Sequence, residues 1–290
     1  MKIKCSSQLA RHLFLLLTYV SFSLTVCAQR SHFSDQVVYK QVDTVALKLA
    51  VYKPEQSNKR EKYPAIVFFF GGGWNSRNID QFIPFAEHLA ARGMVALIAD
   101  YRVKSRQGTS PFESLKDAKS AVRYIRQQAE VIGIDPDRIV ASGGSAGGHL
   151  AAACYTNQSI NESTDPLAVS SKPNALVLFN PVIDNSKDGY GYDRIKEKFP
   201  EFSPIHSIRE SFPPTIFFLG TEDKLIPVST AKTFKQRVEE TGGRCDLHLY
   251  EGAGHGFFNA KEYRELIIPE VDRFLESLDF IGKRTANPEK

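Results

Sequence analysis

Apolar positions along this chain follow two periods. Ala46-Leu47-Lys48-Leu49-Ala50-Val51-Tyr52 alternates apolar and polar residues, the pattern of a half-exposed strand, and Gln36-Val37-Val38-Tyr39-Lys40 before it reads as its antiparallel partner. Continuous apolar runs follow at 65–70, 95–99, 175–179 and 215–219, suited to strands buried on both faces. The segments 138–142 and 246–250 bring the count to eight strands. Between them the period changes. Phe82, Phe85, Leu89 and Ala90 keep helical spacing until a stop near Gly93, and Phe112, Leu115, Ala118, Val122, Ile125 and Ala129 predict a longer helix. Residues 132–137 read as the turn before the fifth strand, and Val271, Phe274, Leu275 and Leu278 mark a closing helix. Alternating strands and helices predict an α/β fold, a mostly parallel eight-stranded sheet with helices on both faces. The stretch 183–213 is rich in charge and aromatics and falls between two strands, so it is expected as a small insertion above the carboxyl edge of the sheet. No internal repeat, low-complexity tract or linker divides the chain, which predicts one domain over 29–290.

The N-terminus breaks this pattern. Lys2, Lys4 and Arg11 precede an apolar stretch from Leu13 towards Val26, shorter than the roughly 20 residues of a membrane span. It ends at Val26-Cys27-Ala28, a small-residue cleavage site, so residues 1–28 are expected to be a signal peptide and the mature chain to start at Gln29. Cys27 leaves a lipoprotein anchor as the alternative. The expected destination is the periplasm or the outside of the cell. Removing the leader's three basic residues from 37 leaves 34 against 33 acidic ones, a balance that points to no nucleic-acid partner. Of four cysteines only Cys154 and Cys245 would remain, and they are expected as buried free thiols. No CxxC or HExxH spacing indicates a metal site, and no cofactor is implied.

The chemistry gathers at strand ends, where ligands of open α/β sheets collect. After the fifth strand comes Gly143-Gly144-Ser145-Ala146-Gly147-Gly148, running into a helix start at His149-Leu150-Ala151. Strand, glycine-flanked serine and helix form the context of a nucleophile elbow. A side chain at position 143 or 147 would clash across so sharp a turn, and the Ala146 N–H would face a developing oxyanion. A glycine-rich turn or an anion-binding loop is the competing reading. After Phe70 comes Gly71-Gly72-Gly73-Trp74, whose backbone N–H groups can approach a substrate oxygen unhindered. After Leu219 comes Gly220-Thr221-Glu222-Asp223, where either acid could orient a histidine. After Tyr250 comes Gly252-Ala253-Gly254-His255-Gly256. Of seven histidines only His255 sits in a glycine-rich loop past the last strand, and His149 reads as a packing residue.

These segments, with Asp100-Tyr101-Arg102, Gly133-Ile134-Asp135-Pro136-Asp137-Arg138-Ile139 and Gly254-His255-Gly256-Phe257, resemble the bacterial α/β-hydrolase esterases. The branches most similar are those related to hormone-sensitive lipase and to acetylxylan and feruloyl esterases, and the likeness extends over nearly the whole expected mature chain. The chain order Ser145, Asp223, His255 is that of α/β hydrolases. The resemblance implies that Ser145 is the nucleophile, His255 the general base and acid, and Asp223 rather than Glu222 its orienting carboxylate. It implies oxyanion N–H groups from Gly72, Gly73 and Ala146, and an acyl-enzyme mechanism without a cofactor. One departure stands out: relatives usually carry histidine where this chain has Phe70, so packing of that ring under the glycine loop is expected to replace a hydrogen bond. The opening strands begin soon after Gln29, leaving 183–213 as the expected roof. A shallow roof and an export signal point to short acyl groups on an accessible alcohol, small or polysaccharide-linked, such as acetyl or feruloyl esters of cell-wall sugars. Tyr190 and Tyr192 could stack on a sugar ring, or be plain surface tyrosines. A peptidase or lipase of the same fold, or a non-catalytic binding module, are the other classes to test.

Overall fold

Each apolar run becomes a strand of one sheet in the computed structural model, which describes residues 32–55, 62–209 and 211–283. The leader read at 1–28 lies outside the described residues. The strands are β1 (Phe33–Val42), β2 (Val45–Tyr52), β3 (Tyr63–Phe69), β4 (Val95–Ala99), β5 (Ile134–Gly144), β6 (Ala175–Phe179), β7 (Thr215–Gly220) and β8 (Cys245–Tyr250). Their order across the sheet is β1-β2-β4-β3-β5-β6-β7-β8. The pairs β1–β2 and β2–β4 are antiparallel, and every other pair is parallel.

The pleat sorts the apolar residues between two cores, one on each face. Val67, Phe69, Leu97, Ala141, Leu178 and Phe217 face the helices Pro111–Gln127, Ala146–Thr156 and Val228–Glu240. Ile66, Phe68, Ile98, Val140, Val177 and Phe218 face the helices Ile83–Ala91 and Lys261–Ser277. Alternate residues of a continuous run are therefore both buried, which is why β3, β4, β6 and β7 show no polar side in the sequence. Helix Pro111–Gln127 starts at a capping box, in which Ser110 accepts from the backbone and Glu113 reaches back to the Ser110 N–H.

Two boundaries differ from the sequence reading. Strand β5 begins at Ile134, but its pairing jumps from Tyr63–Ile134 to Ala65–Ile139. The expected turn survives as a bulge inside the strand, where Asp135 Oδ1 accepts the Asp137 N–H at 2.9 Å. Phe70 falls one residue past β3 and opens the loop instead of closing the strand.

The stretch 183–213 is more ordered than its composition suggests. It folds into short helical turns, including Tyr192–Ile195 and Phe199–Phe202. Phe202 is fully buried, the Ile205 N–H donates to Ile183 O, and Ser203 Oγ accepts from the Asn185 N–H. Cys154 and Cys245 are free and buried, and burial pushes both thiols up to about 12, so neither is a ready nucleophile. Among the described residues, no helix is long and apolar enough to cross a membrane.

Candidate active site

Ser145, Asn180, Asp223 and His255 follow the carboxyl ends of four neighbouring strands, β5 to β8. The turn after β5 holds Ser145 at φ 53°, ψ −117°, a region costing a non-glycine residue about 1–3 kcal/mol. Its surroundings enforce this. A Cβ on Gly143 would overlap the Gly147 backbone, and one on Gly147 would overlap Phe69 O. Ser145 N donates to Phe179 O at 2.9 Å, and Ser145 O accepts from the N–H groups of His149 and Val182 at 3.0 Å each. The elbow is thereby pinned to the end of β6.

Ser145 Oγ lies 2.9 Å from His255 Nε2, and His255 Nδ1 lies 2.7 Å from Asp223 Oδ2. The Asp223 carboxylate is shielded from solvent, and its other oxygen accepts the N–H groups of Leu225 and Ile226 at 2.9 Å each. Those two bonds fix its plane. Glu222 points to solvent, so of the two competing acids the structure brings Asp223 to the histidine. The contact to an ionised carboxylate makes Nδ1 the protonated nitrogen and leaves Nε2 to accept from the serine hydroxyl.

The glycine loop faces the elbow with its carbonyls occupied. Gly72 O accepts from Asn75 and Ser76, Trp74 O from the Lys104 N–H, and Gly73 O from the Arg194 guanidinium. Gly72 (φ 118°), Gly73 (φ 62°) and Trp74 (φ 56°) all have positive φ. By contrast, the N–H groups of Gly72, Gly73 and Ala146 bond to no other described residue. These are the three donors expected from the sequence, and all three are unspent.

Phe70 requires a correction. Its ring is fully buried and stacks on Tyr101, with centroids 4.0 Å apart and planes 12° from parallel. The Tyr101 hydroxyl also donates to Phe70 O at 2.6 Å. The loop is not held by packing alone, because Gln81 Oε1 accepts the Gly71 N–H at 2.7 Å. Gln81 Nε2 then donates to Asn259 Oδ1 at 3.1 Å, and Asn259 Nδ2 to Gly256 O at 2.8 Å, tying the glycine loop to the histidine loop. Neither Gln81 nor Asn180 carried a sequence signal, since each acts through partners distant in the chain.

The two tyrosines separate. Tyr190 lies beside Gly73, half-buried and tilted against Trp74 at 6.0 Å, with Arg194 over its ring. Tyr192 is tied to Glu197 by its hydroxyl at 2.7 Å. A cleft of about 350 Å³ opens beside Gly73 and Trp74, lined by Asn75, Lys104, Asp193 and Arg194 among others. His149, four residues past Ser145, is fully buried, donates Nε2–H to Phe202 O at 2.9 Å and stacks on that ring. Burial pushes it down to about 3.

A mostly parallel eight-stranded sheet, with a strained serine after β5, a carboxylate after β7 and a histidine after β8, defines an α/β hydrolase. The comparisons agree. Residues 49–187 match the BD-FAE family and residues 182–273 the dienelactone hydrolase family. Thermogutta terrifontis esterase 2, phosphoramylated by tabun, is 42% identical, with a TM-score of 0.84 over 88% of this chain and 98% of its own. The same esterase with propionate bound is 40% identical, with a TM-score of 0.83 over 89% of this chain and 98% of its own. Two curated relatives are more distant. A probable isoprenylcysteine alpha-carbonyl methylesterase of Arabidopsis thaliana is 29% identical over 72% of this chain, and an acetylxylan esterase of Xylanibacter ruminicola is 25% identical over 79%. The chain spans about half the length of each, 48%. The chain belongs to the α/β-hydrolase esterases.

Proposed function

We propose that this protein hydrolyses carboxylic esters through an acyl-enzyme on Ser145. The observation that carries the reading is the unbroken chain from Ser145 Oγ through His255 to the buried Asp223 carboxylate, at 2.9 and 2.7 Å. His255 Nε2 takes the Ser145 proton as Oγ bonds to the ester carbon. The carbonyl oxygen, now negative, receives the N–H groups of Gly72, Gly73 and Ala146. His255 then gives the proton to the departing alcohol as the C–O bond breaks, and water repeats the cycle in reverse to free the acid. Asp223 keeps the ring in its working tautomer and stabilises the transient imidazolium.

The substrate we infer is a short-chain ester or a carbohydrate-linked one, an acetyl or feruloyl ester of a sugar. Propionate in Thermogutta terrifontis esterase 2 and the acetylxylan esterase among the relatives support a small acyl group. Export is part of the same proposal, and rests on the basic start and apolar stretch of residues 1–28.

Ser145→Ala should lower kcat by about 10⁴-fold or more and keep the melting temperature. A serine-directed phosphonate should add its mass at Ser145 of the intact protein. Normal turnover in the alanine variant, or labelling elsewhere, would remove the basis of the reading. p-Nitrophenyl esters of increasing chain length, beside acetylated and feruloylated xylan fragments, decide the substrate. A preference for long chains would make it a lipase, and cleavage of peptides instead of esters a peptidase. N-terminal sequencing of exported protein should begin at Gln29.

A further inference from the structure

The side chain of Asn180 occupies a place in the site that the proposed mechanism does not use. It is fully buried at the end of β6, at φ 33°, between the elbow and the acid. Its Oδ1 accepts the Gly256 N–H at 3.2 Å. A backbone N–H can bond only to the oxygen of the amide, so that contact fixes which way the amide faces. Nδ2 is thereby turned to His255 Nε2, 3.4 Å away, the same nitrogen that faces Ser145 Oγ.

We propose that Asn180 is a positioning residue that steers the proton on His255 Nε2 towards the leaving group, an inference that rests on Ser145 as the nucleophile. In the resting site the amide N–H and the serine O–H both point at the Nε2 lone pair. When Ser145 Oγ bonds to the ester carbon, its proton moves to Nε2. The Nε2–H now meets a second donor on the Asn180 side and has no acceptor there. The amide cannot turn over to offer its oxygen without losing the Gly256 N–H. With the Asn180 side closed, the Nε2–H has two acceptors left: Ser145 Oγ, which takes the proton back when the intermediate reverts to ester, and the alkoxy oxygen of the substrate, which takes it when the reaction goes forward. As the C–O bond breaks, that oxygen takes the proton and leaves as a neutral alcohol, and Nε2 recovers its lone pair.

Leaving groups differ in their need for this proton. An alkoxide must be protonated as it departs, whereas p-nitrophenolate leaves as a stable anion. Ethyl butyrate and p-nitrophenyl butyrate give the same acyl-enzyme, so their kcat/KM values differ only in acylation. Asn180→Asp keeps the shape and the acceptor for Gly256 but replaces the donor facing Nε2 with an acceptor. Asn180→Ala removes both. Each variant should lower kcat/KM for ethyl butyrate about ten-fold more than for p-nitrophenyl butyrate, within the range of general-acid contributions. Equal losses on the two esters would reduce Asn180 to a support for the histidine loop and overturn the proposal, as would no loss on either. If the alanine variant fails to fold at this positive φ, the aspartate variant decides. A ¹⁵N spectrum of the histidine-labelled wild type gives a variant-free check: Nε2 of His255 should show the shift of an unprotonated acceptor, and a protonated Nε2 in the resting protein would overturn the idea. Ser145→Ala, run beside these, separates the two claims. If it abolishes p-nitrophenyl butyrate hydrolysis while the Asn180 variants show equal losses, the ester-hydrolase reading stands and only the role of Asn180 falls.

Discussion

His149 and His255 both bond to Ser145, one through its backbone N–H and the other through its ring, and their surroundings give the two rings opposite characters. The ring of His149, four residues on in the chain, is enclosed by Trp74 and Phe202, and its buried Nδ1 has no hydrogen-bond partner among the described residues. No carboxylate among the described residues bonds to it, and burial holds its proton affinity down, to about 3. His255 comes from 110 residues away, keeps part of its ring exposed, and has a buried carboxylate on one nitrogen and the serine on the other. Burial alone makes a histidine a neutral packing block. A half-open ring with a carboxylate behind it can carry a proton both ways.

The largest effect expected on the His255 side is loss of its carboxylate. Asp223→Asn should lower kcat by about 10⁴-fold, since an amide offers the wrong partner for the Nδ1–H tautomer. Glu222→Gln, on an exposed side chain, should leave kcat close to wild type. The reverse ranking would reassign the acid and break the contrast.

On the packing side, Phe70→Ala should cost about 3–5 kcal/mol, because it empties a fully buried aromatic site. Its effect on kcat should be the smaller one, because Gln81 still holds the Gly71 N–H. Denaturant unfolding and kcat measured on one preparation test both parts. A large kcat loss without destabilisation would show that the ring, and not Gln81, aims the loop.

The third test uses pH. In the unfolded chain His149 takes a proton near its ordinary value of 6.5, while in the folded protein it resists until about 3. Between those values the unfolded state binds the extra proton, so stability falls as pH falls, by up to about 1.4 kcal/mol per pH unit. Above the window His149 contributes no pH dependence. His149→Gln, which can still donate to Phe202 O, should flatten this acid slope. Parallel slopes in denaturant titrations of variant and wild type would show that other groups set it.

The smallest effect falls on the link between the two regions. Gln81→Ala frees the Gly71 N–H and cuts the tie to Asn259. Misaiming an oxyanion donor is milder than losing one, so kcat should fall about ten-fold with little change in KM. An unchanged kcat would mean that Arg194, Tyr101 and the backbone bonds hold the loop unaided.

The sequence made the strands legible because runs buried on both faces leave no polar interruption, as at Ala65-Ile66-Val67-Phe68-Phe69. It made Ser145 legible because the sharp turn demands glycine at fixed offsets, a local demand that writes a local pattern. Asp223 was separable from Glu222 only by likeness to relatives, because one residue of turn decides which side chain faces inward. Gln81, Asn180 and Arg194 left no trace, because each is defined by a partner across the fold: Gln81 meets Asn259 178 positions later, and Arg194 reaches back 121 positions to Gly73. The order within 183–213 was hidden for another reason, since its helical turns of three or four residues span about one period and cannot show a repeat.

Trp74 is the one tryptophan of the chain. It sits directly after Gly73, 1% exposed, walled by His149, Phe202 and Tyr190. The tryptophan fluorescence of this chain, excited at wavelengths beyond the absorption of its eleven tyrosines, is therefore a single-point optical reading of this loop. A change in emission on adding ligand times the movement of the wall around Gly73, and in stopped flow it does so on unlabelled protein, with no dye to attach and no second indole to subtract.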